Sequence, residues 1–555
     1  VQKSGGNLHD PMRVQGAVLY GLEKARDSGG HLYLEAGALL KSARLLLNED
    51  VPIPAMQVTP QELESALEQM IRSNVLASNG GNIYLPYLFI QESETACLVI
   101  QKLMEPVQPP ENLPTVLEHI KGQLGITLSE RQHEGVLMAF RHNLSIITGG
   151  PGTGKSTILK AVIQAYRLLY PEGRIRLGAP TGKASRRMAE TTGVADAQTL
   201  HSLLGLHGDE SVWQKKQKYL DADLLIVDES SMIDMSLAYQ LFSRVRPRTK
   251  ILLVGDADQL ESVGAGDVFH QLIMSGLVPV TVLDEIFRQA KDSPIPYNAK
   301  YIHDGISDLC YSEDYFRFIP AKDQEETAQH ICSLYLSEVK AAGIEQVQIL
   351  SPFRSRGDAS SNQLNAVIRE TVNPPAADKP EIARGGMIFR LYDKVMQKKN
   401  NSSIQLFDQK GSFLSRGVFN GEVGQILAIR SNAVLINFDG RYAVYPLESL
   451  DELELAYATT VHKAMGSEYD TIILPMLVAH KIMLDRNVLY TAVTRAKRRV
   501  LLVGQKRALF MAICNKRAGR RNTLLSERMQ KYYKSQSVKR AGEQGERLPE
   551  VRRAS

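Results

Sequence analysis

The chain has 555 residues, 43% of them hydrophobic, which is enough for three or four domains with buried cores. A run of about 18 apolar residues, a signal-peptide pattern and a C-x-x-C pair are all absent, which argues against a membrane span, secretion and a zinc or iron–sulfur site. The net charge is +5, and residues 516–555 hold 12 basic and 4 acidic residues against 54 and 57 in the rest of the chain. We expect a cytoplasmic protein and, because the sequence starts at Val1 rather than at Met, a fragment or a processed form.

Residues 1–120 predict helices and a hairpin rather than alternating strands and helices. The stretch "TPQELESALEQMIRSNVLA" has the apolar spacing of an amphipathic helix, and "SNGGNIYLPYLFI" reads as a turn with a β-hairpin. This combination resembles a winged-helix module. A helical scaffold that packs on the rest of the protein explains the same pattern equally well.

A glutamine stands in "LSERQHEGV", shortly before residues 146–157, which match a phosphate-binding pattern. Gln132 can read the edge of adenine, because its amide both donates and accepts hydrogen bonds. Ser129 and Gln132 also have the spacing of a capping box at a helix start. Both roles hold only if the side chain is shared, and we favour the adenine contact.

Residues 146–157, "IITGGPGTGKST", match the pattern G-x-x-x-x-G-K-[ST] after an apolar strand. In such a loop the backbone N–H groups surround phosphates, the lysine reaches the outer phosphates and the serine hydroxyl binds Mg²⁺. The sequence therefore predicts ATP and Mg²⁺ as cofactors. The residues expected to bind nucleotide here are Gly150, Gly152, Thr153, Gly154, Lys155, Ser156 and Thr157.

Short apolar runs recur along the chain, separated by helix-length amphipathic segments, and most of them end in polar or glycine-rich motifs. Buried strands that alternate with helices predict parallel α/β sheets with ligands at the carboxyl ends of the strands. The runs form two groups. We assign residues 121–290 to a first α/β domain, and residues 291–395 and 451–515 to a second, facing it across a cleft.

Two acidic motifs follow strands of the first domain. In "LLIVDESSM", Asp228 is expected to hold the Mg²⁺ shell and Glu229 to polarise the attacking water. In "LVGDADQLESVGAGDVF", Gln259 is expected to sense the γ-phosphate.

Two arginines are candidates for stabilising charge on the γ-phosphate in the transition state: Arg288 in "LDEIFRQ" and Arg495 in "LYTAVTRAK". Arg495 belongs to the second α/β group, so its action would make hydrolysis depend on closure of the cleft. A surface salt bridge is the alternative for either residue alone.

Three further segments stand apart from the α/β pattern. Residues 396–450 contain alternating strands with Asp439-Gly440 as a hairpin turn, which predicts a small inserted β-barrel. Residues 204–220 interrupt the first domain as a short insertion. The basic segment 516–555 suggests a polyanion partner, although a solvated, disordered tail is as good an interpretation of its last part.

Nine motifs occur in a fixed order, among them "GGPGTGKST", "APTGKASRRM", "QTLHSLLG", "DLLIVDESSM", "GDADQLESVGAGDV", "YATTVHKAMGSEYD" and "YTAVTRAK". Together they resemble superfamily 1 DNA helicases of the RecD-like (RecD/TraA) branch, which includes stand-alone bacterial members. The resemblance covers residues from about 125 to 530 and, more weakly, the N-terminal region.

The resemblance implies two RecA-like domains, a pin at 204–220 and an SH3-like barrel at 396–450. It also implies a monomeric motor that moves 5′→3′ on single-stranded DNA, acts at single-strand/duplex junctions and works with repair or replication proteins. Glu468 is expected near the nucleotide. The residues expected to line the DNA path are Thr181, Lys183, His201, Thr460, His462 and Lys463, whose types suit phosphate contacts.

One departure from the family pattern affects the link between DNA and nucleotide. Ala464-Met465 stands where the family usually has Ser-Gln. Because a thioether accepts hydrogen bonds only weakly, we expect Met465 to loosen this link, unless the side chain merely packs beneath the motif.

Three functions remain open at this point. The first is an ATP-dependent 5′→3′ DNA helicase that acts alone in repair, recombination or replication. The second is the same motor as one subunit of a recombination nuclease complex. The third is an ATP-switched module that binds DNA junctions without processive unwinding.

Overall fold

The computed structural model describes residues 7–206, 219–287, 293–355, 357–516 and 521–544. Arg288, most of the expected pin and the end of the basic segment lie outside these ranges. Within them, none of the helices is long and apolar enough to cross a membrane.

The N-terminal region combines helices with a three-stranded antiparallel sheet of order β1-β3-β2. The third helix starts at a capping box formed by Thr59 and Glu62, directly before Pro60. The order of elements is that of a winged helix. They are α1 (Pro11–Gly29), β1 (Tyr33–Glu35), α2 (Ala36–Asn48), α3 (Pro60–Arg72), β2 (Ala77–Asn79), β3 (Asn82–Tyr84) and α4 (Pro86–Met104).

The first α/β domain is built on a six-stranded parallel sheet of order β6-β5-β7-β8-β4-β9. Its central strands are buried throughout, as expected for a sheet covered by helices on both faces. The elements are α5 (Leu113–Leu124), α6 (Glu130–Arg141), β4 (Leu144–Gly149), α7 (Lys155–Leu169), β5 (Ile175–Ala179), α8 (Gly182–Thr192), β6 (Ala197–Thr199), α9 (Leu200–Leu203), β7 (Leu224–Val227), α10 (Met235–Arg244), β8 (Lys250–Gly255), α11 (Val268–Met274) and β9 (Val280–Leu283).

The second α/β domain begins with α12 (Ile295–Asp304), β10 (Phe316–Pro320), α13 (Gln324–Ala342), β11 (Val347–Ser351) and α14 (Ser361–Val372). An all-β insertion then interrupts it. The insertion contains the hairpin β12 (Glu381–Arg384) and β13 (Met387–Arg390), followed by β14 (Lys394–Gln397), β15 (Asn401–Phe407), β16 (Phe413–Val418), β17 (Val423–Ile429), β18 (Ala433–Phe438), β19 (Arg441–Pro446) and β20 (Leu453–Leu455).

Seven strands of the insertion form an antiparallel sheet of order β16-β15-β19-β18-β17-β14-β20 around an apolar core of its own. The predicted turn at Asp439-Gly440 is confirmed. It joins β18 to β19, and both residues have positive φ, as a type I′ hairpin turn requires.

The chain then completes the second sheet, which is parallel with the order β10-β23-β22-β11-β21. The remaining elements are β21 (Ala458–Thr460), β22 (Tyr469–Met476), α15 (Arg486–Val493), β23 (Ala496–Gly504), α16 (Lys506–Cys514) and α17 (Leu525–Gln544). Helix α4 packs against both α10 and α17, so the N-terminal region, besides having a winged-helix order, packs on the first α/β domain.

The expected domain limits need three corrections. The limit at residue 120 falls within α5, whose apolar side chains pack into the core of the first sheet. The limits 396–450 cut off parts of the inserted sheet, since β14 begins at Lys394 and β20 ends at Leu455. The segment 516–555, expected to be a basic tail, contains α17, which buries Leu525 and Met529 completely against the N-terminal region and the first domain.

Candidate nucleotide cleft and DNA groove

The phosphate-binding loop lies between β4 and the start of α7. Gly154 caps the helix with φ 84°, and a side chain there would collide with the amide of Gln132. The Lys155 ammonium donates to the carbonyl oxygens of Gly149 and, over 3.0 Å, of Gly150. The loop's own carbonyls therefore hold the lysine at the position where phosphates would bind.

A cleft of about 710 Å³ opens beside this loop, between the two α/β domains. It brings together every predicted catalytic and nucleotide-binding residue that the structure describes; only Arg288 of that set falls outside the described ranges. The cleft is lined by Gln132, Gly150, Gly152, Thr153, Gly154, Lys155, Ser156, Thr157, Asp228, Glu229, Gln259, Glu468 and Arg495.

Gln132 forms the capping box. Its Oε1 accepts from the Ser129 backbone N–H at 3.1 Å, and its Nε2 donates to the carbonyl oxygen of Thr153 at 3.1 Å. The side chain is nearly inaccessible to solvent. The capping alternative is thus realised, and a contact with adenine would have to use the second N–H of the amide.

Two adjacent carboxylates follow β7 in the cleft. Burial and, to a lesser extent, the neighbouring charge of Glu229 raise the pKa of Asp228 to about 6. Glu229 has a left-handed backbone (φ 51°), an unfavourable conformation for a residue with a side chain. Oxygen donors from Asp228 and Ser156 suit Mg²⁺, and a divalent cation would offset the repulsion between the carboxylates. The residues present therefore fit the metal.

Arg495 reaches into the cleft from the second domain. Its side chain is 3% exposed, and its Nη1 lies 4.0 Å from Oε1 of Glu229. Among the residues that the structure describes, its guanidinium donates only over 3.4 Å, to the Ser467 carbonyl oxygen and to Thr494 Oγ1. The surface salt bridge that was the alternative for this residue is therefore wrong, because the guanidinium is buried.

A groove of about 620 Å³ lies on the other side of the same domain interface. Burial lowers the pKa of both groove histidines, so each ring is neutral at physiological pH and can donate through one nitrogen. All six residues predicted for the DNA path line this groove: Thr181, Lys183, His201, Thr460, His462 and Lys463.

The two groove lysines already contact other protein groups. Lys183 Nζ lies 4.2 Å above the ring of Tyr469, and Lys463 forms an ion pair with Glu454. Thr181 caps α8 by accepting from the Ala184 backbone N–H. Phosphate contacts by these residues would therefore replace or share existing interactions.

Comparison with known proteins decides the family. The model for the "AAA domain" matches residues 132–265, that for the "UvrD-like helicase C-terminal domain" matches 455–503, and that for the "ATP-dependent RecD-like DNA helicase SH3 domain" matches 364–438. The "ATP-dependent RecD2 DNA helicase" of Deinococcus radiodurans is 32% identical over 541 residues, which cover 95% of this chain and 70% of that protein. The chain belongs to the RecD-like DNA helicase family.

Two more distant relatives complete the comparison. The "RecBCD enzyme subunit RecD" of Mycobacterium tuberculosis is 29% identical over 435 residues, which cover 70% of this chain and 71% of that protein. The solved structure of Bacteroides Pif1 bound to single-stranded DNA is 17% identical with a TM-score of 0.41, covering 69% and 94% of the two chains. As a member of the RecD-like family, this chain is an ATP-dependent DNA helicase with RecA-like motor domains and an SH3 domain.

This RecD-like helicase has site residues that the sequence reasoning missed. Arg187 lines the nucleotide cleft and pairs with Glu468 at 2.6 Å, although it lies within the quoted motif "APTGKASRRM". The inserted SH3 domain supplies Lys398, Asn400 and Phe419 to the groove. Residues 398–421, "KKNNSSIQLFDQKGSFLSRGVFNG", contain all three, and the basic and aromatic side chains that alternate there were the available signal.

Met465 is the position at which the helicase leaves its family's pattern. The side chain is 3% exposed and packs in the apolar core of the second domain with Val461 and Ala464. Met465 therefore packs as the alternative expected, but it also borders the groove beside Thr460 and His462, so the expected loosening of the link between DNA and nucleotide stays a prediction.

Proposed function

We propose that this helicase moves 5′→3′ along single-stranded DNA as a monomeric motor and opens duplexes at single-strand/duplex junctions in repair, recombination or replication. The observation that supports it is the segment 460–468, which borders both sites. Thr460 and His462 line the groove, whereas Glu468 lines the nucleotide cleft. A shift of this short segment on DNA binding would therefore reach the nucleotide directly.

The ATPase step is assigned to residues from both domains. Lys155 would neutralise charge on the outer phosphates, and Ser156 with Asp228 would hold Mg²⁺, which supplies a positive charge beside the phosphates. Glu229 would polarise the attacking water. Gln259, expected to sense the γ-phosphate, would hold that water beside it through its Oε1. Arg495 would stabilise the transition state from the opposite domain, so that hydrolysis requires a closed cleft.

The groove residues are assigned to the DNA backbone. Threonine hydroxyls, neutral imidazoles and lysine ammonium groups all donate to phosphate oxygens, and such contacts position a strand without reading its sequence. Unwinding that is independent of base sequence follows from this assignment.

Strand displacement by the purified chain tests the proposal. We expect ATP-dependent release of the labelled strand from a duplex with a 5′ single-stranded tail, and little release from 3′-tailed or blunt duplexes. The Lys155→Ala variant, which should bind DNA within a few-fold of wild type, is the control. Release from the 3′-tailed duplex alone would contradict the polarity, and binding without release would favour the junction-binding module.

A role as one subunit of a recombination nuclease complex is the second candidate, because the chain is 29% identical to the RecD subunit of RecBCD from Mycobacterium tuberculosis. It predicts DNA-stimulated ATPase activity but poor strand displacement by the isolated chain, with recovery when partner subunits are added.

A further inference from the structure

Helix α15 and the residues after it link the two motor domains at several points. The hydroxyl of Tyr490 donates to Oδ2 of Asp256 at 2.9 Å, and Thr491 Oγ1 accepts from the Leu260 backbone N–H at 2.9 Å. Arg495 lies five residues after Tyr490 and approaches Glu229. One short segment of the second domain thus touches the loops that follow both β7 and β8.

Asp256 lies at the centre of a buried hydrogen-bond network. It is 1% exposed, and its oxygens accept from the Tyr490 hydroxyl, from Nε2 of Gln259 at 3.1 Å and from the Asp258 backbone N–H at 3.0 Å. An ionised carboxylate only accepts hydrogen bonds, so the Gln259 atom that faces it must be the nitrogen. Asp256 therefore determines which way the Gln259 amide points.

The other end of that amide is left free. Gln259 is 5% exposed and lines the nucleotide cleft, and its Oε1 is buried with no hydrogen-bond partner in the described part of the chain. An unpartnered buried acceptor is costly unless a ligand or water satisfies it. The O–H of a water beside the γ-phosphate is a donor of the required kind.

We propose that Tyr490 is a positioning residue for hydrolysis, which through Asp256 holds the Gln259 amide with its oxygen toward the attacking water only while the two motor domains are closed. This inference rests on the proposed role of Gln259. Closure dependence follows from the geometry, because Tyr490 and Asp256 belong to different domains. The hydroxyl also lies close to the phosphate-binding loop, since a Cβ built at Gly150 would be 3.0 Å from it.

Tyr490→Phe tests the inference, because it removes the hydroxyl and keeps the ring. We expect kcat at saturating ATP and single-stranded DNA to fall about 10- to 100-fold, as for one lost hydrogen bond to a charged group. The affinity for a fluorescent ATP analogue should stay within about threefold, since Tyr490 would act on the water and not on the nucleotide. A weakened affinity with unchanged kcat would overturn the inference.

Tyr457→Phe is the matched control. It removes another buried hydroxyl, which donates to Asp393 at 2.9 Å beneath the inserted SH3 domain. Asp393 bonds Asn373 and Arg390, which do not line the cleft, whereas the partner of Tyr490 bonds Gln259, which does. Its kcat should equal that of wild type, while both variants lose similar amounts of thermal stability. If Tyr457→Phe slows turnover as much as Tyr490→Phe does, the effect is structural and the positioning role is wrong.

A double-mutant cycle separates this inference from the proposed function. If Tyr490 acts through Gln259, adding Tyr490→Phe to Gln259→Ala should cause little further loss of kcat. Multiplying losses would overturn the relay. If Gln259→Ala itself leaves kcat unchanged, the proposed role of Gln259 fails as well. If Gln259→Ala lowers kcat but Tyr490→Phe does not, the proposed role of Gln259 stands and only the action of Tyr490 through Asp256 is refuted.

Discussion

At Asp228, the negative charge that we propose for Mg²⁺ binding lowers the stability of the metal-free fold, because the carboxyl group is buried. Its pKa in the folded chain is about 6, above the ordinary value of 3.8, so this group favours folding at low pH and loses that effect as pH rises through 6. Asp228→Asn should therefore raise the stability of the metal-free protein by roughly 1–3 kcal/mol at pH 7.5, and by about half as much at pH 5.

Thermal melts at the two pH values, without nucleotide or Mg²⁺, measure this difference. The same variant should lose ATP hydrolysis if Asp228 is the Mg²⁺ ligand that we propose. An equal gain in stability at both pH values would mean that the charge of Asp228 carries no penalty in the folded protein.

For Arg495, burial makes the cross-cleft role specific enough to test. Arg495→Ala should retain nucleotide binding and lose DNA-stimulated turnover by about 10³-fold, the range expected for a transition-state arginine. Arg495→Lys should recover only part of the rate, because an ammonium lacks the planar fork of donors. Steady-state kinetics test this role. Weakened ATP binding with normal turnover at saturating ATP would mean that the arginine binds the nucleotide in the ground state and does not stabilise the transition state.

A departure from a family pattern does not by itself show what the new residue does, and Met465 is an example. The missing glutamine suggested weaker coupling, but the buried position changes the expectation. Met465→Gln should lower the free energy of unfolding by about 1–3 kcal/mol, because an amide would be buried without partners. DNA-stimulated ATPase should not rise relative to the basal rate. Denaturant titration and ATPase assays together test this, and a severalfold rise in stimulation without destabilisation would restore the coupling role.

At the scale of elements, a buried ion pair joins the SH3 domain to α8 of the first motor domain. Glu422 is 2% exposed, and its Oε1 accepts from Nη2 of Arg186 at 2.9 Å and from Nη2 of Arg441 at 3.0 Å. Asp439 approaches the same Arg186 only to 3.9 Å and is 73% exposed. Glu422 and Asp439 therefore approach the same arginine, one buried and close and the other exposed and distant, so variants of the two can be compared.

Glu422→Ala should destabilise the protein by about 3–5 kcal/mol, because two arginines lose a buried partner. Asp439→Ala should cost less than about 1 kcal/mol, as an exposed pair contributes little. The docked face of the SH3 domain also lines the groove, so only Glu422→Ala should weaken binding of single-stranded DNA. Equal effects of the two variants in denaturation and DNA titrations would show that the pair does not fix the domain.

Elements with a strong local signal were predictable from the sequence. The buried strands read as continuous apolar runs, and Asp439-Gly440 specified its hairpin turn. Helix α17 was missed because it buries few apolar side chains, among them Leu525 and Met529, in an otherwise polar and basic segment. Such a composition resembles a solvated tail, and only the tertiary partner distinguishes the two.

For the whole molecule, residues within contiguous motifs were predictable, but the contacts between domains were not. Tyr490 and Asp256 are 234 residues apart, and Arg186 and Glu422 are 236 apart. No periodicity or spacing in a single sequence relates such positions. The sequence could therefore name the residues that line the cleft and the groove, whereas the network that links the two domains required the structure.

After the second motor domain, the C-terminal segment packs back against the N-terminal region and the first motor domain. Glu92 of α4 is fully buried, and it accepts from Thr523, from the Leu524 backbone N–H and from Nε of Arg528. Arg521 donates to the carbonyl oxygens of Ser262, Gly264 and Gly266, in a loop that borders the groove. The C-terminal segment thus ties the N-terminal region to the first motor domain.

Truncation after Lys516 should consequently destabilise the protein by several kcal/mol. It removes the ion pair and two hydrogen bonds of Glu92 and exposes to water the apolar surface that Leu525 and Met529 cover. Truncation after Gln544 removes only residues beyond α17 and should leave the melting temperature unchanged.

The second truncation still removes three arginines, so it should flatten the dependence of DNA affinity on salt if those charges contact phosphates. Equal melting temperatures for the two truncations would show that α17 is dispensable, and an unchanged salt dependence would confine DNA binding to the groove.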